Sequence, residues 1–138
     1  MGYHHENDIP ACQLCELKLT LADPYLQDWF RTKKISYPTL HISWSYRGQV
    51  DQEAAFNSGA SLLHYPNSAH NFTVLNIPRS LALDLFSLTE AGIAVFPYPL
   101  YVKIAAENAS DRLPMKWGGD FKSLGDAGHF QYTPPVIQ

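Results

Sequence analysis

The sequence predicts an α+β fold: a small, central, mainly antiparallel sheet flanked by helices. Three observations carry that expectation. Helical periodicity and strand-like alternation take turns along the chain, so neither an all-helical nor an all-strand architecture fits. One stretch, Ser80-Leu81-Ala82-Leu83-Asp84-Leu85-Phe86, is apolar on both faces, as in a central strand covered from both sides. And 138 residues at 46% hydrophobic and 17% charged suffice for one domain with a real core, and neither a disordered chain nor a coiled coil.

The elements follow in order. Residues 1–21 show no clear period, and Leu17, Leu19 and Leu21 alternate with Lys18 and Thr20, so an N-terminal arm or short edge strand is expected before a domain at 22–138. Asp23-Pro24 is a cap followed by proline in the first turn, which starts a helix over about 24–34. Tyr25/Trp29 and Leu26/Phe30 are its four-apart pairs, and Arg31, Lys33 and Lys34 suit the negative end of its dipole. After Pro38, the residues Leu40, Ile42 and Trp44 alternate with His41, Ser43 and Ser45, giving a strand that ends at Tyr46-Arg47-Gly48. Gln49 to Asn57 reads as helix, stopped by Ser58-Gly59. Residues 60–79 read as loop. The strand at 80–86 follows, then a helix over 98–109 with Leu100/Ile104 inward and Lys103/Glu107 outward. Short strands near 113–117 and 128–132 close the sheet, and no repeat or second domain is visible.

Charge and hydropathy remove several function classes. Net charge is -3 with no basic run, which argues against nucleic acid as a partner. No apolar run approaches the ~18 residues of a membrane span. The polar start, Met1-Gly2-Tyr3-His4-His5, lacks a secretion signal, so synthesis in the cytoplasm of a host cell is expected. Cys12 and Cys15 form one C-x-x-C, readable as a redox pair or as half of a zinc knuckle that His4 and His5 would complete. With no second C-x-x-C and no thioredoxin-like strand before it, the plainer expectation is a pair of reduced, incidental thiols.

Asp84 is the most telling single residue. A carboxylate inside an apolar strand is costly unless it is paired or binds a metal. Two other stretches supply partners: Ser68-Ala69-His70, and Trp117-Gly118-Gly119-Asp120-Phe121 leading to Asp126-x-x-His129-Phe130. His70, Asp84 and His129 together make a three-ligand zinc set with the fourth position open, the pattern of a catalytic rather than a structural site. Asp126 is then left beside the metal as a candidate general base. Zinc lowers the pKa of bound water from ~15.7 to roughly 7, which suits such a base.

With these stretches in view, the chain resembles the zinc D-alanyl-D-alanine carboxypeptidases and L-alanyl-D-glutamate endopeptidases that cut peptidoglycan stem peptides, a family that includes many phage endolysins. The family's S-x-H-x-x-G-x-A-x-D motif is present at both ends, as Ser68-x-His70 and Ala82-x-Asp84, and its W-G-G-D-[WF] segment with D/E-x-x-H-F is nearly complete. The strand ending in Tyr46-Arg47 and the helix with Asp51-Gln52-Glu53 follow the family's order, so the likeness spans about 22–132. The middle of the first motif departs from it: the motif glycine is missing, and His70 and Asp84 stand 14 positions apart, about twice the usual gap. An outward loop at 71–79 accommodates that at little entropic cost.

The resemblance implies a hedgehog/D-Ala-D-Ala-peptidase-like fold, Zn²⁺ held by His70, Asp84 and His129, and Asp126 as the base. It implies that Arg47 binds the scissile carbonyl. Ser68 would orient the substrate or His70, or simply make a turn, and Trp117 would shape the substrate floor or fill the core. Gly118 and Gly119 let the chain turn tightly, Asp120 is expected in a turn, His41 is expected to be structural, and His64 stands near enough in sequence to approach the cleft. The implied activity is hydrolysis of a stem-peptide bond, L-alanyl-D-glutamate endopeptidase ahead of D,D-carboxypeptidase, in a phage-type lytic enzyme acting at the cell wall or carried on a virion. The rival class is a non-catalytic structural or binding domain of a phage particle that keeps the peptidase fold.

Overall fold

The computed structural model describes residues 12–121 and 125–135. Its elements are α1 (Gln13–Leu19), α2 (Pro24–Ser36), β1 (Leu40–Trp44), α3 (Gln49–Asn57), β2 (Thr73–Val74), β3 (Ile77–Pro78), β4 (Ala82–Leu88), β5 (Ala94–Val95), α4 (Tyr98–Ser110), β6 (Met115–Trp117) and β7 (His129–Tyr132). The main sheet is antiparallel throughout, in the order β1-β4-β7-β6, with β5 pairing the far end of β4. The α+β architecture and the central place of the 80s strand are as the sequence predicts, although β4 begins two residues later than expected.

Alternation along β4 divides the molecule. Leu83 and Leu85 turn to one face, where they join Leu40 and Ile42 of β1, Phe130 of β7, Leu26, Trp29 and Phe30 of α2, and Tyr101 and Ile104 of α4. Each fully buried side chain of this size contributes roughly 1.5–3 kcal/mol, so this face holds the fold together. The other face carries Asp84 directly opposite His129, because the register pairs Leu83 with Phe130 and Asp84 with His129.

The helices follow their sequence signals closely. Asp23 Oδ1 accepts from the amide of Tyr25 at 2.8 Å and Pro24 occupies the first turn of α2. The helix runs to Ser36, two residues past the expected end. Lys33 there meets Glu107 of α4 at 2.8 Å, and Lys34 is buried, donating to the carbonyls of Pro38 and Leu40.

Two expectations are corrected. The described part of the 1–21 segment, residues 12–21, is neither extended nor an edge strand. Cys12, Cys15 and Leu19 fall at helical spacing and are buried in the common core, whereas Leu17 and Leu21 of the apparent alternation are exposed. Cys12 also caps α1, its sulfur accepting from the amide of Cys15. His4 and His5 lie outside the described residues. The second correction concerns 60–79, read as loop. It contains a short 3-10 turn at Ala69–Asn71 and the hairpin β2–β3, whose two-residue turn, Leu75-Asn76, takes φ 52° and 64°. Positive φ at both positions suits the twist of a tight hairpin, but leucine seldom adopts it, so the turn carried no sequence cue at that position. Among the described residues, no helix is long and apolar enough to cross a membrane.

Candidate functional site

Three local devices bring His70, Asp84 and His129 together. The antiparallel register sets Asp84 beside His129. His70 sits in the 3-10 turn, where Ser68 Oγ accepts its amide at 3.2 Å and the Ser68 amide donates to Asn71 Oδ1 at 3.0 Å. The turn is then clamped to the sheet: the Arg47 amide donates to the His70 carbonyl, Leu81 to Ala69, and Asn71 Nδ2 to the Arg47 carbonyl. As a result one ligand atom from each of the three residues lies within 4.8 Å of the others.

The ring orientations decide what such a cluster can do. His70 Nδ1 lies 2.7 Å from the Ser45 carbonyl, which only accepts, so Nδ1 carries the proton and Nε2 presents a lone pair. His129 Nε2 lies 2.8 Å from Gln131 Oε1, another acceptor, so Nδ1 is its lone-pair atom. Both lone pairs turn toward Asp84 Oδ1, at 3.1 Å from His70 and 3.0 Å from His129. His70 Nε2 is buried and makes no hydrogen bond. Two imidazole lone pairs directed at one carboxylate oxygen repel unless a cation lies among them. The donor set therefore fits a metal ion, with the outer nitrogens of both rings held by acceptors as metal-bound histidines are. Burial works against a charged His129, yet the Asp84 carboxylate outweighs it and raises the imidazole above its ordinary value. Burial likewise opposes the Asp84 charge, and the two imidazoles overcome it, holding the carboxyl well below the usual range.

Asp126 and Arg47 flank this cluster. Asp126 Oδ2 is 3.8 Å from His129 Nδ1, and its carboxyl is raised, first by burial and then by the Asp84 charge. Its position depends on Gly118, whose carbonyl accepts the Asp126 amide at 3.0 Å. A Cβ at Gly118 would stand 2.1 Å from the Asp126 carbonyl oxygen and 2.7 Å from His129 Cβ, so glycine is required for that approach. Arg47 is buried; its Nη2 meets Asp84 Oδ2 at 3.2 Å, its Nη1 meets Gln52 Oε1 at 3.2 Å, and its guanidinium stands 5.0 Å from the Trp44 ring centre.

These groups open on a cleft of about 240 Å³ lined by Arg47, Ser68, His70, Asp84, Asp126, His129 and Gln131, with Ala60 to Leu63 as one wall. None of its lining residues comes from 71–79. The structure thus brings together six of the predicted site residues: His70, Asp84, His129, Asp126, Arg47 and Ser68. It sets Trp117 apart, in the wall of a second cavity with Asp120 and Phe121, its indole N–H donating to the Ala127 carbonyl at 2.7 Å. His64 is also away from the cleft, paired with Glu53 at 2.8 Å and packed on Phe56. Sequence reasoning missed Gln131, Ser45 and Asn71, and noted Gln52 only for its place in a helix, not for its bond to Arg47. Gln131, two positions after His129 on a strand and so on the same face, carried a usable cue; the Ser45 carbonyl carried none.

The crystal structure of the Serratia marcescens L-Ala D-Glu endopeptidase ChiX matches this chain with a TM-score of 0.67 at 24% identity, over 86% of each chain. The two proteins share a fold. No family model matches the chain, and no curated protein matches it in sequence. At 24% identity the similarity to ChiX is one of architecture, and the chemistry has to be argued from the site itself.

Proposed function

We propose that this chain is a zinc metallopeptidase that hydrolyses a peptide bond in the peptidoglycan stem, the L-alanyl-D-glutamate bond ahead of the terminal D-alanyl bond. The observation that carries this reading is the convergence of the His70 and His129 lone pairs on Asp84, with Asp126 beside them at the mouth of a cleft. His70 Nε2, Asp84 Oδ1 and His129 Nδ1 would hold the ion. Two imidazoles and a carboxylate with an open fourth position suit zinc in a hydrolytic site, where it would act as Lewis acid and acidify water.

The chain's own groups supply the rest. Asp126, with its raised carboxyl, takes the proton of the attacking water and hands it to the leaving amine, a role that requires an acid matched to its task. Arg47 fixes Asp84 through Oδ2, and each of its terminal nitrogens keeps a second N–H available to a substrate carbonyl. Ser68 positions His70 through its amide. The fold shared with an L-Ala D-Glu endopeptidase supports the choice of bond. The setting in this reading, a phage-type lytic enzyme acting at the cell wall or from a virion, rests on the motif resemblance in the sequence alone.

The test is zinc content and wall digestion measured on the same samples of wild type, His129→Ala and Asp126→Ala. Wild type should carry zinc and digest walls. His129→Ala should lose zinc from this cluster. Asp126→Ala should keep it and lose activity by roughly 10²–10⁴-fold, the range for removing a general base. A wild type that binds zinc here yet digests none of several walls would instead support the non-catalytic phage-particle domain.

A further inference from the structure

A second cluster of metal-type ligands lies in the core, away from the cleft. Cys12 and Cys15, at the start of α1, meet His41 on β1; all three are buried, and their ligand atoms lie within 4.8 Å of one another. Cys15 Sγ is 3.4 Å from His41 Nδ1, close to the sulfur–nitrogen edge of a zinc tetrahedron with bonds of ~2.3 and ~2.0 Å. Both sulfurs also accept backbone amides: Cys12 from Cys15 at 3.3 Å, and Cys15 from Ile42 at 3.4 Å. Burial pushes the Cys15 thiol up to about 12, so a metal bound there has to displace its proton.

We propose that Cys12, Cys15 and His41 form a second, structural metal site of zinc type that fastens α1 to β1. Two thiolates and an imidazole are a soft-to-borderline set that selects zinc over magnesium or calcium. Two thiolates balance a dication in charge, so the ion would enter the core without a net charge to bury. The three ligands leave one tetrahedral position for a fourth donor.

The groups facing the cluster set up a clear rival. Lys34 Nζ lies 3.4 Å from His41 Nε2 and donates to the carbonyls of Pro38 and Leu40, while Lys18 Nζ donates to those of Ile42 and Ser43. Coordination through Nδ1 places the His41 ring proton on Nε2, beside Lys34. The alternative is a hydrogen-bonded chain without metal, from Lys34 through Nε2 and from Nδ1–H to the Cys15 sulfur.

The experiment uses the full chain, purified with a phosphine reductant, stripped of metal and reloaded with Co²⁺ or Zn²⁺. A thiolate-to-cobalt charge-transfer band in the near ultraviolet should appear in wild type and persist in His129→Ala. It should vanish in the Cys12→Ser/Cys15→Ser double variant, with about one zinc per chain lost from a total of about two. The band depends on sulfur ligation, so the result stands whether or not the cleft proves hydrolytic. Absence of the band in wild type, with equal zinc in wild type and the double variant, would establish the metal-free chain and overturn the proposal.

Discussion

Asp84 answers to three residues at once: Oδ1 faces both histidines, and Oδ2 is bound by Arg47. Removing the arginine leaves that second oxygen facing no cation in a site of low exposure. Breaking a buried pair from one side costs about 3–5 kcal/mol, so Arg47→Ala should lower the unfolding free energy of metal-free protein by about 3 kcal/mol, read as a lower urea midpoint at unchanged slope. Arg47→Lys, which keeps the charge but not the forked geometry, should fall between the two. An unchanged midpoint in Arg47→Ala would show that the pair adds nothing to stability. At this scale the sequence was readable wherever a residue type carried its own chemistry. An aspartate in an apolar strand stands out, whereas Asp126-x-x-His129 gains meaning only beside Trp117-Gly118-Gly119-Asp120 and the Ser68-x-His70 stretch. The partners that aim the rings do not stand out, since the Ser45 carbonyl belongs to every residue type and reaches His70 only after the chain has folded. Trp117 was open to two readings, substrate floor or core filler, and its ring packs against the core and lines another cavity.

Helices α2 and α4 meet at two neighbouring acceptors, Glu107 and Asn108. Glu107 takes Lys33 Nζ at 2.8 Å on one oxygen and the Tyr37 hydroxyl at 2.6 Å on the other, while Trp29 Nε1 donates to Asn108 alongside. The Glu107 carboxylate pushes Tyr37 up to about 12 from 10.0. A raised acid stabilises the fold in full below its unfolded value and loses that contribution as pH climbs toward 12. Glu107 itself is held low, burial opposing and Lys33 and Tyr37 outweighing it, so its share is present above the ordinary carboxyl value and lost as pH falls. Glu107→Gln should lower stability by about 1 kcal/mol near neutrality, a few degrees in Tm, and should flatten both the acid and alkaline limbs of a Tm-against-pH curve. Limbs unchanged in slope would dismiss the joint as a pH-sensitive element. Elements of this kind were legible because α2, α3 and α4 carry caps, stops and four-apart pairs. Helix α1 was not, because the apparent alternation of Leu17, Leu19 and Leu21, of which only Leu19 is buried, masked the buried Cys12, Cys15, Leu19 stripe.

The molecule as a whole is one sheet with two duties: a packed face that holds the helices and an opposite face that holds the charged cluster. Ligands for that cluster come from the 3-10 turn, β4 and β7, so an ion bound there would hold three separate stretches in place. A ligand present at 100 times its dissociation constant adds about 2.7 kcal/mol. Chelation should therefore lower Tm measurably in wild type and less in His129→Ala, and an equal response in both would place the stabilising ion elsewhere. The α+β class was legible from alternating periods. The order β1-β4-β7-β6 was not, because strand pairing between residues some 45 positions apart, such as Asp84 and His129, leaves no local mark.

The hairpin β2–β3 explains why the distance between His70 and Asp84 in the chain can be so long. Arg79 donates to the Phe72 carbonyl and Leu81 to that of Ala69, closing the segment at its base before the strand begins. Beyond that base Leu75 and Ile77 stand out in solvent, and the segment contributes no residue to the cleft lining. Lengthening such a loop costs little entropy, so the segment is expected to act as a port at which residues can be gained, lost or exchanged while the chemistry underneath keeps its dimensions.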